Sequence, residues 1–538
     1  MEFKQKQLQH LGIIAGICNE IGLIGQIDSK IGKEKRKVSV GQAVQAMILN
    51  ALGFSGRALY LTPDFFRNRP VDLLIGEGIE ADDLHDDCLG TALDALYDQG
   101  ITELFYQLAS SALKTYEIEH RYVHLDTSTF SLHGKSYEDA DDTSQTVSIK
   151  RGYSKDNHPE LPQAVISLMC SHRSSLPVWL EVLSGNSSDQ KSFANSIKEY
   201  RRQFKSAQLP YFVMDGAFYT KENITGLNDI IWVTRVPERI KEAKEIIENL
   251  NHGDLLESEK EGYSYKEIHS DWSGEDQRWL VVFSRAAYER EIKTFEKNLE
   301  KSREKSEKGF WHLCNSPFAC EADAHKAAKT FNRKNKYFSA EYTVEKKMRY
   351  AGKGRPGKGS VPEKEEWRLS GQIEDDKDTI ESTRRRKGIF IIATNNLDST
   401  DLNSEQLLDV YKSQGTSVER GFRFLKDPLF FAESLYLKST KRIMALIMVM
   451  GLSLLIYSLA ERKLRSTMMT QDETIPNQVK KPTQNPTIRW VFQMFEDVLL
   501  LTVKENTSEK NIVGNLTEAH NTIIRCLGKE VEKIYFSD

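Results

Sequence analysis

The sequence predicts an α/β protein, α+β overall, in which a mixed β-sheet with helices on its faces is flanked by helical regions. Three observations predict this class. Residues 1–118 repeat apolar side chains at helical spacing, whereas residues 119–235 contain short apolar runs typical of strands, interspersed with helices. Residues 236–400 are again rich in strand-like runs, and helical spacing returns from residue 404 onwards.

The N-terminal region, residues 1–118, is predicted to be a helical domain. Val38–Leu52 places apolar residues at helical spacing and is followed by Gly53, a residue that commonly ends a helix. Two further helices are predicted at residues 86–98 and 102–116. Residues 61–120 carry thirteen acidic and three basic side chains, which counts against contact between this part and phosphate groups.

Residues 119–235 are predicted to form the first part of a sheet core. Three consecutive strands precede a helix, a strand, a short helix and a last strand, and this order implies a mixed sheet. The predicted strands are 121–130, 163–170, 177–183, 210–215 and 229–235, and the predicted helices are 189–204 and 218–227.

Residues 236–400 interrupt this pattern and are predicted to be an inserted β-rich subdomain with an exposed helical arm at about 285–308. Residues 401–467 return to helices and are predicted to complete the core. Residues 468–538 are predicted to be a C-terminal helical region that follows a polar linker. The predicted strands of the insertion are 263–271, 278–284, 338–350, 365–373 and 389–394, and the later helices are 404–411, 417–426, 443–460, 488–503 and 515–527.

Charge, cysteines and hydropathy narrow the class of protein. The net charge of −4 argues against attraction of the whole molecule to nucleic acid but allows a local basic surface. The six cysteines form no CxxC pair and no zinc-like spacing, which indicates reduced thiols in a cytoplasmic protein. Ile443–Ala460 is uncharged over eighteen residues, a length at the lower edge for a membrane span, and its Gly and Ser residues favour a buried core helix.

Two strands deliver an acidic residue. Tyr122–Phe130 alternates apolar and polar residues, so Asp126 shares a face with His124. A buried carboxylate is costly unless it is paired or binds a metal, although a single Asp more often ends a strand and caps a turn. Pro210–Asp215 repeats the design, with an acid at the end of a short apolar run. We therefore expect both acids at the edge of the sheet where α/β proteins place their chemistry.

A third acid stands on a helix after the fifth strand. Glu419, Arg423 and Lys426 lie at i, i+4 and i+7, so all three face one way. A Glu–Arg pair at this spacing is commonly only a solvated pair on a helix surface. Because Glu419 follows two strands that each deliver an aspartate, it is instead a candidate for the third acid of one site.

This order of two aspartates and a glutamate resembles the DDE transposases of bacterial insertion sequences. The resemblance is closest to the branch with a β-rich insertion between the second Asp and the Glu, and it covers about residues 120–460. It implies a ribonuclease H-like core built on a mixed five-stranded sheet. The segments Gly152–His158 and Ser184–Asp189 are also similar to sequence characteristic of the family, and we place them in loops at the sheet edge without a defined chemical role.

The last catalytic helix matches the family only in part. The Glu followed by a Lys seven residues later is matched by Glu419 and Lys426. The family's Tyr and Arg, seven and four residues before the Glu, are replaced by Lys412 and Gly415. Tyr411 lies one position away from the expected Tyr, and Arg420 and Arg423 are the candidates to replace the Arg.

The resemblance implies an enzyme that moves DNA by a cut-and-paste route. Asp126, Asp215 and Glu419 would be catalytic and would bind two Mg²⁺ ions, with Mn²⁺ as a substitute. Asp126 would bridge the ions, which activate water for strand cleavage and then the freed 3′-hydroxyl for strand transfer. The implied partners are double-stranded DNA, as terminal inverted repeats and target, and a second copy of the chain. No membrane is expected, and the location is the bacterial cytoplasm and, when DNA is bound, the nucleoid.

The insertion is predicted to contact DNA through a basic, glycine-containing segment. Residues 346–359 carry six cations and no acid, although a merely flexible basic loop has the same composition. In related transposases a Trp of the insertion stacks on a flipped base, and we choose Trp367 over Trp311 for this role, although most tryptophans of β modules are core. The predicted DNA-binding residues are Lys426, Arg423, Arg420, Lys346, Lys347, Arg349, Lys353, Arg355, Lys358 and Trp367.

Other functions remain open at this point. A ribonuclease H-like structure-specific nuclease would cut DNA without joining strands, since a fold alone does not fix a function. A domesticated DNA-binding protein would keep the scaffold without catalysis, although the two aspartates and the Glu at matching places argue against it. The N-terminal helical domain could bind DNA ends or serve only for packing, and the C-terminal region is a candidate for dimerisation.

Overall fold

The computed structural model describes most of the chain and shows the predicted α/β architecture. The described residues are 2–32, 36–54, 59–118, 120–132, 147–173, 175–204, 209–350, 361–427, 439–505 and 508–536. The strands are β1 (Glu2–Gln7), β2 (Tyr122–Ser131), β3 (Gln163–Ser171), β4 (Pro177–Ser184), β5 (Tyr211–Met214), β6 (Trp232–Val236), β7 (Leu256–Glu257), β8 (Tyr263–Ser270), β9 (Gln277–Ser284), β10 (Phe338–Arg349), β11 (Lys364–Asp375), β12 (Ile389–Thr394), β13 (Ile475–Pro476), β14 (Pro482–Thr483), β15 (Leu499–Glu505) and β16 (Ser508–Gly514).

The helices cover both ends of the chain and both faces of the sheet. They are α1 (Leu11–Glu20), α2 (Leu23–Ile31), α3 (Val40–Leu52), α4 (Thr62–Phe66), α5 (Val71–Leu74), α6 (Asp86–Gln99), α7 (Ile101–Thr115), α8 (Asp189–Gln203), α9 (Lys221–Gly226), α10 (Lys241–Asn249), α11 (Arg285–Asn315), α12 (Glu321–Lys334), α13 (Lys377–Arg385), α14 (Ser404–Lys412), α15 (Val418–Leu425), α16 (Thr440–Gln471), α17 (Ile488–Met494), α18 (Glu518–Leu527) and α19 (Lys529–Tyr535).

The five predicted core strands lie side by side in one mixed sheet, in the order β4-β3-β2-β5-β6. β3 is antiparallel to both β2 and β4, whereas β5 is parallel to both β2 and β6. Alternate residues of β2 face different apolar clusters. Val123 and Leu125 belong to the larger core, and Tyr122 packs on the opposite face with Tyr211.

The strands of the insertion extend this same sheet. β12, β9, β8 and β7 continue it beyond β6, so the sheet has nine strands in all. β12 pairs with β6 at one edge and with β9 at the other, both antiparallel. The sequence alone does not show this continuity, because a strand pattern contains no information about its distant partner. Outside the sheet lie the long arm helix α11, α12 and the β10–β11 hairpin, which pack against one another.

Helix α16 is the central apolar element of the core. It is long and apolar enough to cross a membrane, with a mean hydropathy of 2.4 over its most apolar window, and that window is entirely buried within the protein. Gly451 lets the helix approach the sheet closely, because a Cβ atom at this position would lie 2.4 Å from Leu180. This apolar part of the helix is therefore buried, as predicted for a core helix, whereas the last turns of α16 carry exposed residues.

The two ends of the chain pack together around α16. β1 pairs with β15, and the backbone of Val531 in α19 lies so close to Gly16 that no side chain would fit there. Arg442 donates to both carboxylate oxygens of Asp94 at 2.9 and 2.7 Å, and Lys463 pairs with Glu20 at 2.5 Å. The N-terminal region is thus held to the core by ion pairs as well as apolar contacts.

Two local predictions at the chain ends are wrong. Glu2–Gln7, predicted within a helical region, is strand β1. The helix predicted at 488–503 ends at Met494, and residues 499–505 form strand β15. The apolar positions of β15 fit a helix and a strand equally well when read alone, and its pairing with β1 decides between them. Helix α16 also continues to Gln471, so the predicted boundary at 467/468 falls inside a helix.

Candidate active site

Asp126 and Asp215 lie beside each other at the point where β5 ends. The parallel register pairs Leu125 with Met214, so the next residue of each strand is one of the two aspartates. β5 stops there, whereas β2 continues to Ser131 and pairs only with β3. The predicted strand 121–130 is confirmed, and the alternative in which Asp126 ends the strand and caps a turn is wrong. Asp126 lies in the middle of β2, next to the opening left by the end of β5.

The carboxylate of Asp126 is mostly buried and lies among other charges. Burial raises its pKa to about 6; the ammonium of Lys155 opposes this rise, and the charges of Asp215 and Asp189 add to it. The backbone N–H of Thr127 donates to Asp126 Oδ1 at 2.7 Å. Burial also raises the pKa of Asp215, against a hydrogen bond of 2.9 Å from the backbone N–H of Ala217 to Asp215 Oδ1. The two carboxylates therefore form a region of negative charge.

Glu419 reaches the same region through the packing of α15 on the sheet. Gly421 lies directly on Leu168, the β3 residue that pairs with Asp126, and a Cβ atom on Gly421 would lie 3.0 Å from the Leu168 side chain. Val418, Phe422 and Leu425 form the buried face of α15. Glu419 lies outside this buried face of α15 and is exposed to solvent, two residues before Gly421, which contacts Leu168. The helix thus brings Glu419 to the part of the sheet that carries Asp126.

Tyr411 connects Glu419 with Asp215. Burial raises the pKa of Tyr411 to about 12, Arg235 opposes the rise, and the charges of Asp215 and Glu419 both contribute to it. The hydroxyl of Tyr411 is therefore within electrostatic range of both acids. Tyr411 thus relates Glu419 to Asp215, and the packing of Gly421 on Leu168 relates α15 to the strand position opposite Asp126.

The position of Tyr411 has a structural reason. Helix α14 ends at Lys412, a short 3₁₀ turn follows, and Ser417 has φ −106° and ψ −95°, outside the helical region. Because of this break, residues before Glu419 are not related to it by the spacing of a continuous helix. A Tyr one position away from the family pattern consequently still lies near the acids. Lys412 lies instead over the rings of Tyr263 and Phe390, at 5.6 and 5.7 Å.

Lys155 and Asp189 are components of this region to which the sequence assigned no role. Lys155 Nζ lies 3.6 Å from Asp126 Oδ1 and 3.1 Å from Asp189 Oδ2, and it donates to the carbonyl of Thr127 at 2.6 Å. The Thr127 hydroxyl donates to Asp189 at 2.5 Å. Both residues belong to the two segments that resemble family sequence, Gly152–His158 and Ser184–Asp189. That resemblance was the available signal, but it did not indicate that the segments meet at Asp126.

The cations predicted on α15 differ in what they contact. Lys426 Nζ donates to both carboxylate oxygens of Asp156, at 2.7 and 2.8 Å. Arg420 pairs with Glu461, which is almost fully buried and also pairs with Arg465. Arg420 therefore holds α15 to α16, whereas Arg423 is exposed on the face that carries Glu419.

His124 lies two positions before Asp126 and is a packed strand residue. It is fully buried, and its ring stacks on His172 with centroids 5.5 Å apart. Burial lowers the pKa of His124 to about 3, and the neighbouring His172 adds to the effect. His124 is therefore neutral at physiological pH.

The chemistry of the three acids fits hard divalent cations. Carboxylate oxygens are the ligands that Mg²⁺ prefers. Burial raises the pKa of Asp126, and the nearby charges of Asp215 and Asp189 add to the rise, so a bound cation would stabilise the charged carboxylate. The three do not form a closed cage for one ion. Among the described residues, the one trio of His, Cys, Asp or Glu with ligand atoms within 4.8 Å of one another is the exposed His85, Asp86 and Asp87. Acids spread around two ions need no such closure.

The predicted basic surface of the insertion is partly neutralised. Lys346, Lys347 and Arg349 are exposed near the tip of the β10–β11 hairpin, and each pairs with a glutamate. The pairs are Lys346–Glu365 at 2.7 Å, Lys347–Glu345 at 3.9 Å and Arg349–Glu366 at 3.4 Å. Residues 346–359 contain no acid, but the three glutamates that pair with these cations come from β11 (Glu365 and Glu366) and from β10 just before this segment (Glu345). Lys353, Arg355 and Lys358 lie outside the described residues.

The two candidate tryptophans differ in exposure. Trp367 is half-buried in β11, where its backbone pairs with Phe318 by hydrogen bonds of 2.8 and 3.0 Å. Trp311 lies on the arm helix α11 and is 62% exposed. Only part of the Trp367 ring is therefore accessible to a base, and its stacking role stays a prediction.

Comparison with known proteins assigns most of the chain to two family models. The model described as Transposase DDE domain matches residues 120–457, and the model described as Domain of unknown function (DUF4277) matches residues 3–110. Comparison with curated proteins gives no match. Among solved structures, the chain is similar to a piggyBac transposase synaptic complex with hairpin DNA, with 8% identity and a TM-score of 0.38 over 92% of this chain and 82% of that one.

Proposed function

The chain belongs to the family of transposases with a DDE domain, and from this premise we propose that Asp126, Asp215 and Glu419 are its catalytic metal ligands. DNA transposition is the activity of this family, DNA is its substrate, and its members use divalent metal ions. The proposal concerns how this chain carries out that activity. It names two Mg²⁺ ions, for which Mn²⁺ would substitute, and a cut-and-paste route.

One observation carries the assignment of the site. Asp126 and Asp215 follow paired residues of parallel strands, and α15 packs through Gly421 onto the residue opposite Asp126. This arrangement supports the proposal that three acids from distant parts of the sequence act at one site on the sheet. A structural role would not require this, because clustered acids repel one another and burial raises the free energy of their charged forms.

The residues of the chain would act mainly by positioning. As the resemblance implies, Asp126 would bridge the two ions, and Asp215 and Glu419 would each hold one. When bound, two such ions activate the attacking oxygen and stabilise the leaving oxygen of an in-line phosphoryl displacement. The exposed Arg423 lies on the same helix face as Glu419 and is placed to contact a DNA phosphate. No side-chain nucleophile is needed for this chemistry.

Lys426 is proposed to contact phosphate near the cleaved bond, as the resemblance implies. Its ion pair with Asp156 fixes the ammonium at the end of α15, close to the segment that carries Lys155. Binding to DNA would exchange one of the two carboxylate contacts for a phosphate oxygen. Arg420 is proposed to support DNA binding indirectly, because its pairing with Glu461 holds the helix that presents Glu419.

The β10–β11 hairpin is proposed as a DNA-binding element. Replacement of Lys346, Lys347 and Arg349 together by Gln should weaken DNA binding and reduce its salt dependence. Three phosphate contacts would contribute roughly 2.7 to the slope of log K against log salt concentration. The intramolecular pairs with glutamates should reduce the measured change to about 2, because DNA must first replace them.

The measurement is a salt titration of DNA affinity by fluorescence anisotropy. A matched control replaces Lys198, Lys241 and Lys244, exposed lysines on α8 and α10, by Gln. We expect the control to retain the wild-type slope. An equal loss of slope in both triple variants would show that the hairpin has no special role.

The assembly and location follow from the same proposal. A homodimer would act on the paired terminal inverted repeats and on target DNA, in the bacterial cytoplasm and at the nucleoid. The C-terminal region, residues 468–538, is the proposed dimerisation region; it includes β15 and β16, which form a sheet with β1 from the N-terminal end of the chain. The N-terminal region is proposed to contribute to DNA-end binding through a surface other than the acidic part between residues 61 and 120.

Strand transfer is the step that distinguishes a transposase from a nuclease on the same fold. Incubation of the protein with pre-cut end DNA, taken from the sequence flanking the gene, and a plasmid target in Mg²⁺ should give joined products. The products are detected on a denaturing gel as labelled end DNA of plasmid size. Cleavage of intact ends without any joining would favour the structure-specific nuclease instead.

A further inference from the structure

We propose that Lys155 couples metal binding to DNA binding, because its ammonium competes with the metal ions for the carboxylate of Asp126. The inference rests on the proposed function, since it takes Asp126 as a metal ligand. Lys155 is then a positioning residue that controls when the site accepts its ions. It is not itself required to touch the reacting atoms.

The first argument is the position of the ammonium. Lys155 Nζ lies 3.6 Å from Asp126 Oδ1 and 3.1 Å from Asp189 Oδ2, between two carboxylates at the catalytic edge. Two carboxylates within 4 Å of one ammonium favour its charged form. The side chain therefore keeps its positive charge within the acidic region.

The second argument is that the segment around Lys155 is fixed in place. The ammonium donates to the carbonyl and hydroxyl oxygens of Thr127, at 2.6 and 3.0 Å, and the backbone N–H of Lys155 donates to the hydroxyl of Thr129 at 3.1 Å. The next residue, Asp156, is held by Lys426, which directly follows α15. Lys155 is thus anchored to the same strand as Asp126 and is not a mobile surface lysine.

The consequence follows from the charges. A divalent ion on Asp126 would lie within a few ångströms of a fixed ammonium, and the repulsion between them lowers the affinity for the ion. The phosphates of bound DNA add negative charge at the same edge and offset this repulsion. Metal ions and DNA therefore bind more tightly together than separately, and the coupling is reciprocal. Such coupling limits metal loading away from DNA.

The test is the affinity for Mn²⁺ in the absence of DNA, measured by isothermal titration calorimetry. Lys155→Met removes the charge but keeps the length of the side chain, and it should bind Mn²⁺ on the order of tenfold more tightly than the wild type. Lys155→Arg keeps the charge and should retain the weak wild-type affinity. Lys155→Gln is a second neutral variant in case the Met variant fails to fold, and Lys198→Met is the control for a remote exposed lysine.

A second titration tests the coupling. Pre-cut end DNA with a 3′-deoxy terminus cannot react, and its addition should tighten Mn²⁺ binding more in the wild type than in Lys155→Met. Unchanged or weaker Mn²⁺ binding by folded Lys155→Met and Lys155→Gln would overturn the inference while leaving the proposed function standing. If Mn²⁺ binds to Asp126→Asn as tightly as to the wild type, Asp126 is not a metal ligand, and the proposed function and this inference both fail.

Discussion

Asp126→Asn is expected to abolish DNA strand cleavage in Mg²⁺ while leaving the affinity for end DNA nearly unchanged. The amide keeps the size of the carboxylate but removes the charge that would bridge two metal ions. Folding should persist, because burial and the neighbouring Asp215 already disfavour the charged form of Asp126. The measurements are nicking of labelled end DNA on a denaturing gel and anisotropy for binding.

Asp229→Asn is the matched control for this substitution. Asp229 is exposed, follows α9 and pairs with Arg201 on the protein surface. The control should cleave DNA at the wild-type rate. Cleavage by Asp126→Asn in Mg²⁺ at a rate close to that of the control would remove Asp126 from the catalytic assignment.

Glu419→Gln is expected to reduce strand cleavage on the order of 10³-fold, because the loss of one metal ligand removes several kcal/mol of transition-state stabilisation. The side chain of Glu419 is exposed, and α15 is held by its buried face instead. Thermal stability should therefore stay within about 0.5 kcal/mol of the wild type, as for other surface substitutions. Single-turnover cleavage and thermal unfolding measure the two effects separately.

The exposed Glu222 on α9 provides the control, as Glu222→Gln. The two variants make the same chemical change, and only the one at position 419 should lose activity. Equal activity of both would mean that Glu419 is one more solvated residue of a helix surface, the plain alternative for a Glu–Arg pair at that spacing.

The sequence predicted the sheet core well because each strand carries its own signal. β2, β3 and β4 were located to within one residue at each end, since long alternating or apolar runs depend little on distant context. It did not predict that β12 pairs with both β6 and β9 and so extends the core sheet. Strand partners are chosen by tertiary packing, which no local pattern encodes.

The same difference between local pattern and tertiary packing explains which residues of the candidate site the sequence predicts. The sequence identifies the two aspartates because Asp126 lies within a recognisable strand pattern and Asp215 directly follows one. The sequence gives no sign that Lys155 and Asp189 lie at Asp126, because Lys155 lies in a loop, Asp189 begins α8, and only the folded chain brings them together. Tyr411 lies one position away from the family's Tyr only if residues 411–419 form one continuous helix. Ser417 breaks the helix, so this spacing does not apply. The basic hairpin lost part of its predicted charge because β11 supplies glutamates from across the ladder.

Anomalous diffraction from crystals of the protein with end DNA and Mn²⁺ tests the central claim most directly. The wild type should show two Mn²⁺ peaks about 3.5–4 Å apart, bridged by Asp126, with Asp215 on one ion and Glu419 on the other. Crystals of Glu419→Gln should lose the peak next to residue 419. Two peaks that avoid Glu419, or metal bound only at the exposed His85–Asp87 cluster, would contradict the assignment of the three acids to one catalytic centre.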